Sequence, residues 1–158
     1  MLHKKRKLLK NQEGLTLIEL LAVIVILGII AAIAIPAIGN VIKNSRFNAI
    51  KSDAIQVISA AKLYVSENGV KSQLSYNDLK SYIDDQDSKL NTSHKANPQF
   101  SVSVSTNNSD GKTVYKFTGY GADGDVKIRF NNADLKTINA AKRSNIKPGD
   151  DGVYTIGK

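Results

Sequence analysis
The sequence has no cysteine, so no disulfide closes a loop and no thiol serves as nucleophile or metal ligand. Its two histidines, His3 and His94, stand far apart and form no Cys/His cluster of the kind that holds zinc. A glycine-rich phosphate loop is also missing. Gly119-Tyr120-Gly121 precedes a turn and a strand pattern rather than a helix, so it lacks the dinucleotide-binding context. These absences leave no nucleophile–base pair, zinc site or phosphate cradle, and an enzyme is not expected. No cofactor is expected either. The weak metal candidates are the carboxylates of two Asp/Gly stretches: Asp123 and Asp125, and Asp150 and Asp151. They could offer oxygen ligands to calcium, but no full twelve-residue calcium loop surrounds them. Asp and Gly are also ordinary turn residues, and turns are the expected reading.

Net charge is +8, unevenly spread. Residues 1–14 hold five Lys/Arg and one acid, Glu13, so their removal would leave +4. Residues 126–158 hold seven Lys/Arg against three Asp, whereas residues 69–125 hold six against seven. The plain reading of the C-terminal excess is a solvated face. The sharper one is a patch for anionic polymers such as DNA or cell-wall polymer, which nothing else in the sequence supports. A length of 158 residues suits one compact domain plus an N-terminal extension.

What the sequence does have is a long apolar run. Residues 20–38 are nineteen positions without a charge, preceded by Lys4, Lys5, Arg6, Lys7 and Lys10. With residues 15–19 the run covers about 36 Å of helix, enough to span a bilayer core of about 30 Å with some tilt. The basic side should stay in the cytoplasm, which puts the C-terminal part outside. A secretory signal peptide is the main rival, because Ala32-Ile33-Ala34 fits a cleavage site in isolation. Its apolar region should be shorter, however, and Glu19 is a poor residue inside one. An ionisable residue in a membrane helix is a functional hypothesis by default.

Residues 14–19 read Gly-Leu-Thr-Leu-Ile-Glu, between the basic tail and the apolar run. This arrangement resembles the processing site of the type IV prepilin family, with its prepilin-type N-terminal cleavage and methylation. The resemblance covers about residues 4–65. It implies cleavage by a prepilin peptidase between Gly14 and Leu15, methylation of the new N-terminus, and Glu19 as the fifth mature residue. Leu15 departs from the commonest residue there, Phe, which should slow the cut at most. The family also implies self-assembly into a filament, driven by an assembly platform and an ATPase, in which Glu19 pairs with the N-terminal amine of a neighbouring subunit. The subunit would wait in the cytoplasmic membrane and end in an extracellular pilus with roles in adhesion or twitching motility. The alternative within the resemblance is a pseudopilin of type II secretion or a competence pilin for DNA uptake. Many Gram-negative pilins carry a disulfide, so the lack of cysteine leans toward a Gram-positive source.

Helical spacing resumes after Gly39-Asn40. Phe47, Ile50, Ala54, Val57, Ala61 and Tyr64 form one apolar stripe, widened by Ile58 and Val65, with most charges off it. Asn68-Gly69 supplies a stop, so one helix is expected over about residues 15–68. Pro36 should kink or locally melt it, and family pilins often carry Pro there. Gly28 and Ala32 form a small-xxx-small pair, which is common in membrane helices anyway.

Beyond residue 68 the pattern predicts a short helix over residues 75–83, a polar loop over 84–99, and strands at 100–104, 114–118, 126–130 and 153–156. Turns should fall at 107–111 and 119–125, and a second short helix at 134–142. The expected fold is α+β and pilin-like: a long helix, half transmembrane and half amphipathic, packed on a small antiparallel sheet. The expected division is a leader over 1–14, a transmembrane or filament-core half-helix over 15–40, and a head over 41–158.

Overall fold
The computed structural model describes the backbone at residues 2–84, 88–90, 100–107 and 111–158, with side chains from residue 16 onward. The expected loop at residues 84–99 and turn at residues 107–111 therefore lie largely outside the described residues, as does His94. The fold is α+β: a long N-terminal helix followed by a small five-stranded sheet. Two compact units divide it, Met1–Ile42 and Lys43–Lys158.

Helix α1 is Leu2–Asn68. It begins earlier than expected because the basic residues ahead of Gly14 are interspersed with Leu and Gln, all good helix formers. It continues as helix through Pro36, with no local melting there. The Asn40 side-chain amide donates to the Pro36 carbonyl at 3.3 Å. At the other end, Gly69 takes a φ of +85° and its N–H bonds the Val65 carbonyl at 2.9 Å. That left-handed cap is what Asn68-Gly69 leads one to expect.

In the second unit the stripe is the core. Phe47, Ile50, Ala54, Val57, Ile58 and Ala61 are all buried, with Tyr64 and Val65 packed at the margin. The sheet beneath runs in the order β1-β2-β3-β4-β5, with β1 Gln73–Ser75, β2 Ser101–Thr106, β3 Thr113–Asp123, β4 Val126–Asp134 and β5 Tyr154–Gly157. Its inner face supplies Leu74, Val102, Val104, Phe117, Val126, Ile128, Phe130 and Ile156, alternating with outward polar residues as a half-covered sheet requires. Between β1 and β2 lies the short helix α2, Tyr76–Leu79. It is shorter than its expected range, although the cap at Ser75 is where the sequence puts it.

The sheet is mixed where an antiparallel one was expected. β1 to β4 pair antiparallel, but β5 runs parallel to β4. The connection from Leu135 to Val153 explains this. It contains helix α3, Leu135–Ala140, and a 3-10 turn, Arg143–Asn145, and is long enough to carry the chain back to the starting end of β4.

The expected turn over residues 119–125 is mostly strand. β3 continues to Asp123 and only Gly124 and Asp125 turn. The glycines there serve packing. A Cβ on Gly121 would sit 2.4 Å from the Ile50 Cγ2, and one on Gly119 would sit 2.8 Å from the Phe117 ring. Gly121 thus lets α1 lie close on the sheet. A bulge in β4 shifts the register between Phe117 and Gly119. Asn132 takes a φ of +53° there, and its N–H bonds the Thr118 hydroxyl at 3.1 Å.

Candidate functional site
The first unit buries almost nothing. Across residues 16–42 every large apolar side chain is exposed, from Leu17 at 70% to Ile42 at 46%. Such a surface is far larger than an isolated soluble chain keeps in water, so lipid or other chains must cover it. Length and composition both suffice to cross a membrane. A helix is the right element for that task because it satisfies its backbone hydrogen bonds internally.

Glu19 lies on this helix, exposed among Leu17, Ile18, Leu20 and Leu21. Among the described residues no cation pairs with it. Gly14 and Leu15 lie within the same helix, five and four residues before it. Gly14 and Leu15 are neighbours on one turn and Glu19 lies about one turn further on, at the start of the apolar segment. Gly28 has nothing within 4 Å of a built Cβ, so the Gly28/Ala32 face is open.

Residues 9–35 match the prokaryotic N-terminal methylation motif. The chain carries a type IV prepilin-like signal. No solved structure matches the chain. The match supports a type IV pilin-like or pseudopilin-like protein, and proteins with this motif are in general structural rather than catalytic. The motif implies processing by a prepilin peptidase and assembly into a pilus-like filament. The exposed apolar helix fits membrane anchoring.

The calcium candidates have other uses. Asp125, at the β3–β4 turn, accepts from Arg46 at 2.8 Å and Lys43 at 3.1 Å, two cations of α1. The Lys43 hydrogen bond holds its carboxyl below the usual carboxylate range. Asp151 accepts from the Val153 N–H at 3.1 Å, the main cause of its lowered pKa, and from Arg129 at 3.2 Å. Asp123 ends β3 opposite Val126, and Asp150 is exposed in the next turn. The four carboxylates do not converge. Among the described residues no group of three potential ligands does.

Sequence reasoning missed how the charges off the apolar stripe are used. Lys43 and Arg46 tie α1 to the β3–β4 turn. Lys51 is partly buried, with its ammonium donating to the carbonyls of Ala141 at 2.5 Å and Asn139 at 3.4 Å. Burial lowers its pKa. Arg143 donates through Nε to the Asn44 side chain at 2.6 Å. No local signal could reveal these links, because each joins residues some eighty to a hundred positions apart.

Proposed function
We propose that this chain is the structural subunit of a type IV pilus or pilus-like filament. A prepilin peptidase cuts between Gly14 and Leu15 and the Leu15 amine is methylated. The mature subunit waits in the cytoplasmic membrane with residues 43–158 outside. Residues 15–40 then leave lipid for a bundle of identical helices, exchanging one apolar environment for another. An assembly platform and ATPase drive the transfer.

One observation carries this reading: a carboxylate, Glu19, in an exposed apolar helix, five residues after the glycine of a methylation motif. Lipid alone disfavours such a group. A neighbouring subunit's new N-terminal amine would neutralise it, and because an unpaired buried charge is heavily penalised, the pair would also fix register. Adhesion and twitching motility are the roles such a fibre would serve.

Intact mass of the membrane-extracted protein tests the processing step. The expected species begins at Leu15 and carries one methyl group. A species retaining residues 1–14, or one beginning at Ile35, would overturn it. Electron microscopy of material sheared from cells tests assembly, with mass spectrometry to identify this chain in a fibre. A processed subunit found only in membranes, with secretion or DNA uptake lost on its deletion, would indicate the pseudopilin or competence role instead.

A further inference from the structure
The helical segment of the second unit shows another periodicity on the side away from the sheet. Ser45, Ser52, Ser59 and Ser66 recur every seven residues, and Ala49, Gln56 and Leu63 follow the first three by four. At about 100° per residue, this seam lies nearly opposite the core stripe of Phe47, Ala54 and Ala61. Ala49 is half-buried and the others are exposed. Lys43, Arg46, Lys51, Asp53, Lys62 and Glu67 all fall off the seam, so it is an uncharged line between charged flanks.

From Ser52 to Leu63 the seam borders a groove of about 370 Å³, lined also by Ile55 and Ala60 and, from the segment after α2, by Tyr82 and Ile83. Asp84 is the one charged residue of its described lining, and it is already engaged. The Ser59 hydroxyl donates to the Ile55 carbonyl at 3.0 Å, so its donor is satisfied within the helix. Leu63, by contrast, leaves a large apolar side chain 50% exposed. Small side chains at heptad spacing let a second helix approach closely, with a crossing angle of about 20°. Large apolar side chains fill such a seam, because large against small interdigitates, whereas two seams of this kind face to face leave voids.

The chain holds such a filling surface itself. Residues 20–42 expose Leu, Ile and Val side chains and carry no charge. Both surfaces are exposed in the single chain, so the cover comes from another copy. We propose that this seam and its groove seat the apolar helix of a second copy, residues 20–42, in the fibre. The inference rests on the filament proposed above and names where one subunit's apolar helix meets a neighbour's second unit. Neither the seam nor the helix it receives has a charge to strip of water, so the contact avoids the main penalty of burial.

The test uses the full chain in cells. Because the sequence has no cysteine, introduced ones report cleanly. Ser59→Cys is combined with a second cysteine scanned through residues 20–42, and sheared fibre is oxidised and run without reductant. At least one position should give a ladder of disulfide-linked multimers. Ser59→Cys alone should give none, and neither should Ser105→Cys, on the outer sheet face, with the same scan. A ladder from Ser59→Cys alone would mean that seams pair with one another, and no ladder anywhere in the scan would mean that the helix sits elsewhere; either overturns the proposal. Ser59→Asp should also cut fibre yield about tenfold or more, because it buries an unpaired carboxylate against apolar side chains. The second unit's unfolding midpoint should stay unchanged, and Ser59→Ala should keep both yield and midpoint. Normal yield from Ser59→Asp would overturn the proposal too. A native chain that is processed but never found in a fibre would instead overturn the filament reading, and the seam with it.

Discussion

A carboxylate at the centre of a membrane helix costs roughly 2.5–3.5 kcal/mol on insertion scales. Glu19 stands near the edge of the apolar run, just before nineteen uncharged residues, and a membrane-inserted lone chain would bear part of this cost. Glu19→Ala should therefore insert and be cleaved normally while giving little or no fibre. The measurement compares membrane-bound subunit with sheared fibre in a strain lacking the native copy. Normal fibre yield would remove Glu19 from assembly. Asp78 is the clearest case of tuned charge in the second unit. It accepts from Lys71 at 2.6 Å, and from the N–H and hydroxyl of Ser75 at 2.8 Å each. These bonds, that of Lys71 first, hold its pKa down to about 2. An unfolded aspartate titrates near 3.9. The folded state therefore binds fewer protons, and the stability Asp78 contributes is present above about pH 4 and lost as pH falls toward 2. Urea midpoints of the native chain and Asp78→Asn should differ at pH 6 and converge by about pH 2. A gap that does not change with pH would remove the charge from the explanation. The lowered pKa values of Asp125, Asp134 and Asp151 act in the same direction, so the unit as a whole should weaken in acid.

At the scale of elements, α1 lies close on β3 at Gly121. Gly121→Ala would push a methyl group to within 2.4 Å of the Ile50 side chain. Overpacking of this kind costs about 1–3 kcal/mol. Thermal unfolding should show the loss, whereas Gly28→Ala, with open space around it, should leave the second unit's midpoint unchanged. These two glycines also mark what was legible in the sequence. The stripe from Phe47 to Tyr64 could be read directly, because period and burial coincide on a helix laid against a sheet. Ser75 and Asn68-Gly69 announced their caps through local chemistry. Gly119 and Gly121 misled, because glycine for a turn and glycine for close packing look alike in a single sequence. The three-residue β1 was too short to show a period. β5 was visible as a strand, but its direction depends on the route of the connection through α3, which alternation does not encode. Asn131-Asn132 was the only trace of the bulge. The methylation motif was legible as residues, whereas the bonds that tie Lys51 of α1 to the end of α3 were not, since the two meet only after folding.

The molecule divides into a unit that buries little and a unit with a closed core. Deleting residues 1–42 should leave a soluble, monomeric, folded protein. The cut removes the exposed apolar run but keeps Phe47 through Tyr64, the helical half of the core. Size-exclusion chromatography and circular dichroism check this, and an insoluble or unfolded product would mean that the core needs the first unit. One contact within the second unit bears on how the chain is made. Phe47 meets Tyr154 edge to face, with ring centroids 5.4 Å apart, and β5 completes the core that begins on α1. The two rings are separated by most of the unit's sequence, so contact order is high and closure is slow compared with a helical bundle. Synthesis delivers the apolar helix first and Tyr154 only after some hundred further residues. The core therefore cannot close while β5 is still on the ribosome, and the chain remains threadable during that interval. If residues 43–158 are carried outside, as proposed above, a core that closes late lets them cross without first having to be unfolded.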